Sequence, residues 1–450
     1  MTASRIDRAS SDDLMSLASD RGSAPMQVGA VLMLDVGRGF EPERLVQAIE
    51  QRLPAIPRLR QRIVRVPFGC GRPIWVDDAN FRITEHVSIV RCPTPPGLAS
   101  VLEVAAGLVA SRLPHDRPLW RASLITDVGG GGAALVIVYH HVLADGIGGL
   151  AVLAALAGAP SVDPRFPRSG PSRGELARDA ARDRVRAVTR LPSALARLAQ
   201  AAIQLGPALR TRPPRSSLNR PTGQRRRFAT VACALDRVHE TAHRHDATVN
   251  DVVLSAITGA LHRLLAERDE LAETIVVSVP FSSRGSAAAS GLGNASGAIP
   301  LRLPATGDPA ERLNAVAGIT RTAKRSAPGA STAMLGPGFR LLARIGLYQR
   351  FIDHQRLIQT FVSNLKGPQN QLTIGGWPVV AVVPLSVAVG NVTVSFSVLS
   401  YCGTVTISLA ADPDTCPDLD RLRQLLEREL DDVTRRSVAG VARDRRRPVG

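Results

Sequence analysis

Lysine is nearly missing from this chain. Lys324 and Lys366 are the only two, against a combined total of 56 lysines and arginines. So lopsided a ratio reads as the codon bias of a GC-rich genome, and no arginine-specific recognition is inferred from it. Long hydrophobic runs are missing too. No stretch approaches the roughly 18 consecutive apolar residues that a membrane-spanning helix needs. The opening MTASRIDRASSDDLMSLASD carries acids and no apolar stretch, so it does not read as a secretory signal. Cysteine is sparse and unpaired in pattern: Cys70, Cys92, Cys233, Cys402 and Cys416 are odd in number and form no C-x-x-C. That argues against a disulfide framework and a cysteine zinc site, and fits a reducing cytoplasm.

With 44% hydrophobic and 21% charged residues over 450 positions, the composition is that of a globular protein too long for one core. Two domains are expected, and disorder should not dominate. The formal charge of +17 is concentrated: residues 161–227 hold sixteen arginines against four acids. Such a surplus attracts anionic surfaces such as nucleic acid, acidic lipid or a polyphosphate ligand. The stretch lacks interleaved aromatics and any nucleic-acid motif, so nucleic acid is not expected as a partner.

Periodicity divides the chain in three. Residues 1–160 alternate strands and helices: strands at 27–36, 63–66, 74–76, 121–127 and 133–140, and helices at 41–52, 98–113 and 150–156. Residues 161–227 read as an Arg-rich linker. Val188, Leu191, Leu195, Leu198, Ala202 and Leu205 recur there at helical spacing, predicting an amphipathic docking helix kinked at Pro192. From residue 228 a second mixed segment runs to residue 450. It opens with a strand (FATVACAL) and continues with a helix–loop–helix turning at Thr248-Val249-Asn250-Asp251. A buried strand follows at 275–280, then a strand-rich stretch at 376–412 whose runs 392–399 and 405–409 could pair around 401–403. A final helix is expected at 418–433. The fold class is therefore α/β, mixed, with helix and strand in similar proportion in both halves.

The stretch with the most chemistry is YHHVLADG, residues 139–146, directly after the apolar run AALVIV. Side chains alternate across a strand, so Leu135, Ile137, Tyr139 and His141 should share one face, with Val136, Val138 and His140 on the other. One imidazole can then face a cavity while its neighbour is fixed in the domain. A neutral histidine suits deprotonation of an alcohol near neutral pH. Asp145 can reach back after the turn that Gly146 permits, pairing with an arginine rather than activating the imidazole directly. Taken alone, such a pair also fits packed or surface histidines.

HHVLADG matches the HHxxxDG motif of the CoA-dependent acyltransferase superfamily. An ordered set of landmarks narrows the likeness. These are SSDDLMSLASDRGSAPMQVGAV, LPAIPRLRQRI, PIWVDDANF, Pro118-Leu119-Trp120, Asn250-Asp251, VPFSSR with Leu292-Gly293-Asn294, and SNLKGP at 363–368. Over nearly its whole length the chain resembles the bacterial wax ester synthase/acyl-CoA:diacylglycerol acyltransferase family, in its actinobacterial triacylglycerol synthase-like form. Three departures bear on acceptor and acyl-chain preference: Leu365-Lys366 where Val-Pro is usual, Ser16-Leu17 where an aromatic is expected, and Phe281 where Val is common.

The resemblance implies two chloramphenicol-acetyltransferase-like lobes with a channel at their interface. It implies His141 as general base in direct transfer from acyl-CoA, a co-substrate, to diacylglycerol or a long-chain alcohol. No cofactor, metal or acyl-enzyme is called for. His140 and Asn250 would support the site, and Asp145 would be structural, with Arg284 as its hypothesised partner. Pro118, Leu119, Trp120, Asp251, Arg284, Ser363 and Asn364 are candidates for the substrate channel. Pro118–Trp120 could equally be core, and Asn250 could simply cap its helix. His239 and His243, four apart on a helix, lack the further ligands that a zinc site needs. The Arg-rich linker, if not merely solvated, would attach the enzyme peripherally to the inner membrane face or a lipid droplet. The competing functions are a carrier-protein-dependent, condensation-like transferase and a lipid-binding protein without catalysis.

Overall fold

The computed structural model describes residues 6–20, 22–144, 146–189, 213–282, 296–326, 342 and 345–435. Fourteen strands are described. They are β1 Gln27–Asp35, β2 Gln61–Val64, β3 Ile74–Asp77, β4 Val87–Arg91, β5 Trp120–Thr126, β6 Gly132–His140 and β7 Arg227–Ala234. The remainder are β8 Thr274–Ser282, β9 Ser296–Pro304, β10 Thr360–Lys366, β11 Thr373–Ile374, β12 Trp377–Leu385, β13 Val394–Tyr401 and β14 Thr404–Ala411. They build two six-stranded sheets, ordered β11-β12-β1-β6-β5-β4 and β7-β14-β13-β10-β8-β9, with β2 and β3 as a separate pair.

The sheets do not follow a simple cut of the chain at residue 228. β11 and β12, from far into the second segment, complete the first sheet, and β12 runs antiparallel to β1. Tyr401 fastens this exchange from the second sheet: its hydroxyl donates to the Val379 carbonyl at 2.8 Å and accepts the Leu372 N–H at 2.8 Å. Nothing in the strand-rich run 376–412 marks which sheet each strand joins, since either gives it a covered face.

β6 is apolar along its length because both of its faces are covered. Leu135, Ile137 and Tyr139 enter one core cluster, and Ala134, Val136 and Val138 enter another. This is the alternation that the sequence predicts. β1 lies beside β6 in register, Gly29 opposite Val138, and a Cβ at Gly29 would run into the Ile137 carbonyl. Only glycine lets the two strands approach so closely here.

In the second lobe, helix Val249–Ala266 is buried almost all round. It is opened by a capping box: Thr248 Oγ1 accepts from Asp251 N–H, and the Asp251 carboxylate accepts from Thr248 N–H at 2.8 Å. Helix Leu419–Thr434 packs against it with Leu422, Leu426 and Leu430 inward. Glu429 of that helix, 1% exposed, pairs with Arg312, 3% exposed.

The linker differs from its expected form. Its described helix is Arg173–Thr189, which buries only Leu176 and Ala180. Leu176 sits with Cys70 and Ile74, while Arg8 Nε pairs with Asp179 at 2.6 Å and Arg168 Nη2 with Asp77 at 2.7 Å. Few apolar side chains were available there, so ion pairs to the first lobe take over, which hydrophobic spacing does not register. The predicted continuation through Leu191, Pro192, Leu195, Leu198, Ala202 and Leu205 lies outside the described residues.

Candidate active site

β6 ends at His140, and the chain turns immediately. The backbone of the histidine pair is held from both sides. His140 N–H donates to the Leu119 carbonyl at 2.9 Å, and His141 N–H donates to the Met26 carbonyl at 2.8 Å. The two rings then part, as strand alternation requires. His140 is 1% exposed, and its Nδ1 accepts the Val142 N–H at 3.0 Å. That bond places the proton of the neutral ring on Nε2. His140 Nε2 stands 3.6 Å from Asp20 Oδ2, an ion-pair rather than a hydrogen-bond distance.

Asp20 is a residue that motif reasoning missed. Its side chain is 7% exposed. Its Oδ1 accepts the Met26 N–H at 2.8 Å and lies 3.0 Å from Arg112 Nη1, while His115 Nε2 is 3.7 Å from its Oδ2. Burial pushes its carboxyl upward. The His115 and His140 imidazoles and the Met26 N–H outweigh that and hold it well below the usual carboxylate range. One carboxylate thus faces His140 directly and holds His141 through Met26. No sequence signal near residue 140 could have indicated a partner 120 positions upstream.

His141 faces the other way, onto a cavity of about 390 Å³ between the two sheets. Ala30, Ile137, Leu150 and Leu153 from the first lobe and Phe361, Val382, Phe396 and Leu399 from later in the chain make most of its wall apolar. The polar lining groups include Tyr139, Ser278, Ser363, Asn364 and Ser397. Such a cavity suits an acyl chain, with a few polar atoms at the reacting end. The helix after the motif begins at Gly146, earlier than position 150, and Gly149 lies against Tyr139, where a Cβ would meet the phenol hydroxyl.

The structure brings some predicted residues together and separates others. Ser363 and Asn364 line the His141 cavity. Asn364 Nδ2 donates to Asn250 Oδ1 at 3.2 Å, so the two motifs meet although 114 positions apart. Asn250 is not the helix cap, because Thr248 fills that place. Asp251 is 2% exposed and spent on the capping box and on Thr320 Oγ1, 2.7 Å away, so it does not line the cavity. Nor do Pro118, Leu119 and Trp120. Leu119 and Trp120 are core residues; Trp120 Nε1 donates to the Leu59 carbonyl at 2.7 Å, and its ring stacks on His86 with centroids 4.6 Å apart. Trp120 shares the sheet face of its register partner Tyr139, but one strand further out, where Leu59 and His86 cover it. Asp145, Arg284 and Leu292-Gly293-Asn294 lie outside the described residues. No group of three or more His, Cys, Asp or Glu among the described residues is arranged to hold a metal ion, and His245 Nδ1 is instead 3.0 Å from Asn314 Oδ1.

A family model described as the wax ester synthase/diacylglycerol acyltransferase catalytic domain matches residues 10–253, and the WS/DGAT C-terminal domain matches residues 292–434. The chain belongs to the wax ester synthase/diacylglycerol acyltransferase family. It is an acyltransferase. A putative diacylglycerol O-acyltransferase of Mycobacterium tuberculosis is 29% identical to it over 467 residues, covering 94% of this chain and 90% of that protein. A probable diacylglycerol O-acyltransferase of the same species is 28% identical over 432 residues, covering 92% and 91%. Among solved structures, the wax ester synthase/diacylglycerol acyltransferase of Marinobacter aquaeolei VT8 superposes with a TM-score of 0.69 at 22% identity, covering 95% of this acyltransferase and 98% of that chain. The first condensation domain of the calcium-dependent antibiotic synthetase superposes at 0.67 with 18% identity, covering 96% and 97%. The acyltransferase therefore has the two-lobed architecture expected from its motifs.

Proposed function

We propose that this acyltransferase moves a long-chain acyl group from acyl-CoA to the hydroxyl of a diacylglycerol, and also to long-chain alcohols, with His141 as general base. The observation that carries the reading is the split of the histidine doublet. His140 is sealed behind the sheet against Asp20, while His141 faces an apolar cavity between the lobes. The imidazole of His141 takes the acceptor's hydroxyl proton as that oxygen attacks the thioester carbon. The tetrahedral intermediate collapses with cleavage of the carbon–sulfur bond, and the imidazolium returns the proton to the CoA thiolate. Ester and CoA thiol leave, with no covalent enzyme intermediate and no cofactor. Asn250 supports the site through its bond to Asn364 on the cavity wall.

The cavity's apolar lining supports a long acyl chain and a lipid acceptor. Work at a lipid surface follows from substrates that do not dissolve, and the reading places the enzyme in the cytoplasm, peripherally on the inner membrane face or a lipid droplet. No described helix is long and apolar enough to cross a membrane. Phe68, Val185 and Val188 are exposed, and Arg184 Nη2 donates to the Gly69 carbonyl at 2.7 Å, which sets part of this apolar surface among arginines. That composition suits an anionic interface.

The test is transfer of labelled palmitate from palmitoyl-CoA to diolein or hexadecanol, with His141→Ala alongside. General-base loss predicts a fall of about 10²- to 10⁴-fold at retained fold. Product formed equally well by the variant would refute the role of His141. Turnover with acyl-carrier protein and none with acyl-CoA would point to the condensation-like alternative.

A further inference from the structure

The chain's only two lysines line one pocket. Lys324 lies near the end of helix Pro309–Ser326, and Lys366 is the last residue of β10, yet both line one pocket of about 390 Å³ together with His239. Among the described residues, no aspartate or glutamate lines it. Both lysines are exposed, and neither ammonium has a hydrogen-bond or ion-pair partner among the described residues. Elsewhere on the described surface, arginines such as Arg227, Arg237 and Arg421 are engaged by carboxylates. The pocket also receives the first turn of helix Val249–Ala266, the positive end of its dipole, at Val249 and Asn250.

This pocket adjoins the His141 cavity. Pro280 and Asn364 line both, and Asn364 and Lys366 sit two apart on β10, on one side of the strand. We infer that Lys324 and Lys366 hold the phosphates of acyl-CoA, placing the nucleotide end in this basic pocket while the pantetheine arm passes Asn364 and Pro280 toward His141. The inference rests on the acyl-CoA reading above and adds which mouth of the cavity the thioester comes through. The ligand chemistry is a nucleotide bearing a diphosphate and a phosphomonoester, which point charges on flexible stems can grip. Lys366 stands where the family pattern has a proline, so half of this grip belongs to this chain rather than to the family landmark.

The test compares palmitoyl-CoA with the palmitoyl thioester of pantetheine, which lacks every phosphate and the nucleotide. In the double variant Lys324→Gln/Lys366→Gln, the KM for palmitoyl-CoA should rise on the order of tenfold with kcat retained, as for two partly exposed charge contacts. The KM for palmitoyl-pantetheine should not move, which a misfolded or generally damaged enzyme would not reproduce. Added salt should raise the wild-type KM for palmitoyl-CoA toward the variant's. Adenosine 3′,5′-bisphosphate should compete with palmitoyl-CoA on the wild type and lose that effect on the variant. An unchanged KM for palmitoyl-CoA, or an equal rise for both thioesters, overturns the inference and leaves the acyl-CoA reading standing. Wild-type turnover with neither thioester would overturn that reading and this inference with it.

Discussion

Replacing Asp20 with asparagine removes one negative charge from behind the histidine doublet and almost nothing else. The carbonyl oxygen of asparagine can still accept the Met26 N–H that Asp20 Oδ1 takes at 2.8 Å, so the local path of the backbone is kept. What goes is the attraction to His140, His115 and Arg112. The last two are 56% and 43% exposed, and such pairs are screened to little. His140, 1% exposed and 3.6 Å away, is the buried partner of that charge. The bond whose strength changes is that from the Met26 N–H: to a charged acceptor it is worth about 1.5–3 kcal/mol against roughly 1 kcal/mol to a neutral one, so the variant should lose about 1–2 kcal/mol at neutral pH.

The pH dependence has a definite sign. The carboxyl of Asp20 is held below its usual value near 3.8, so its contribution is present in full above that value and is lost as pH falls toward the lower folded one. Wild type and Asp20→Asn should therefore differ by a constant amount between about pH 5 and 8 and converge below about pH 4. Denaturant titrations at each pH, read as midpoints with unchanged slope, measure this. A difference that is absent at pH 7, or that persists undiminished in acid, would refute the view that the Asp20 charge secures the doublet. Acyl transfer by the variant should fall less than by His141→Ala, since the base itself is intact.

Gly149→Ala should destabilise by about 1–3 kcal/mol and weaken acyl transfer, because its Cβ meets the Tyr139 hydroxyl on the cavity wall, and melting and turnover measured together check this. Glu429→Ala leaves Arg312 buried without its carboxylate, so unfolding free energy should drop by about 3–5 kcal/mol while turnover per folded molecule is kept. Trp120→Phe loses the Nε1 bond to Leu59 and should cost about 1 kcal/mol in denaturant titration. Its acyl-length profile should match the wild type, because Trp120 does not line the cavity.

Much of the local structure was legible because it depends on neighbours in sequence. The alternation of AALVIVYHH places His141 and His140 on opposite faces whatever the rest of the chain does, and the capping pattern Thr248-x-x-Asp251 starts its helix without help. The strand pair 394–401 and 404–411 follows from two β-rich runs either side of a short turn, and the periodic leucines of 419–434 mark its helix. The motif residues and their ordered spacing were enough to indicate the family and its two-lobed fold.

Tertiary structure alone decided which residues gather round the doublet. Asp20 reaches His140 across 120 positions, Asn250 meets Asn364 across 114, and β12 leaves the second segment to pair with β1. Trp120, which its motif left open as core or channel, is core because Leu59 and His86 cover it on the very face that carries Tyr139 and His141 one strand away. Local propensity fixes the face on which a side chain lies, since that depends only on backbone geometry. What that face meets is set by how the sheets and helices dock, a contest of burial and charge that no window of neighbouring residues contains.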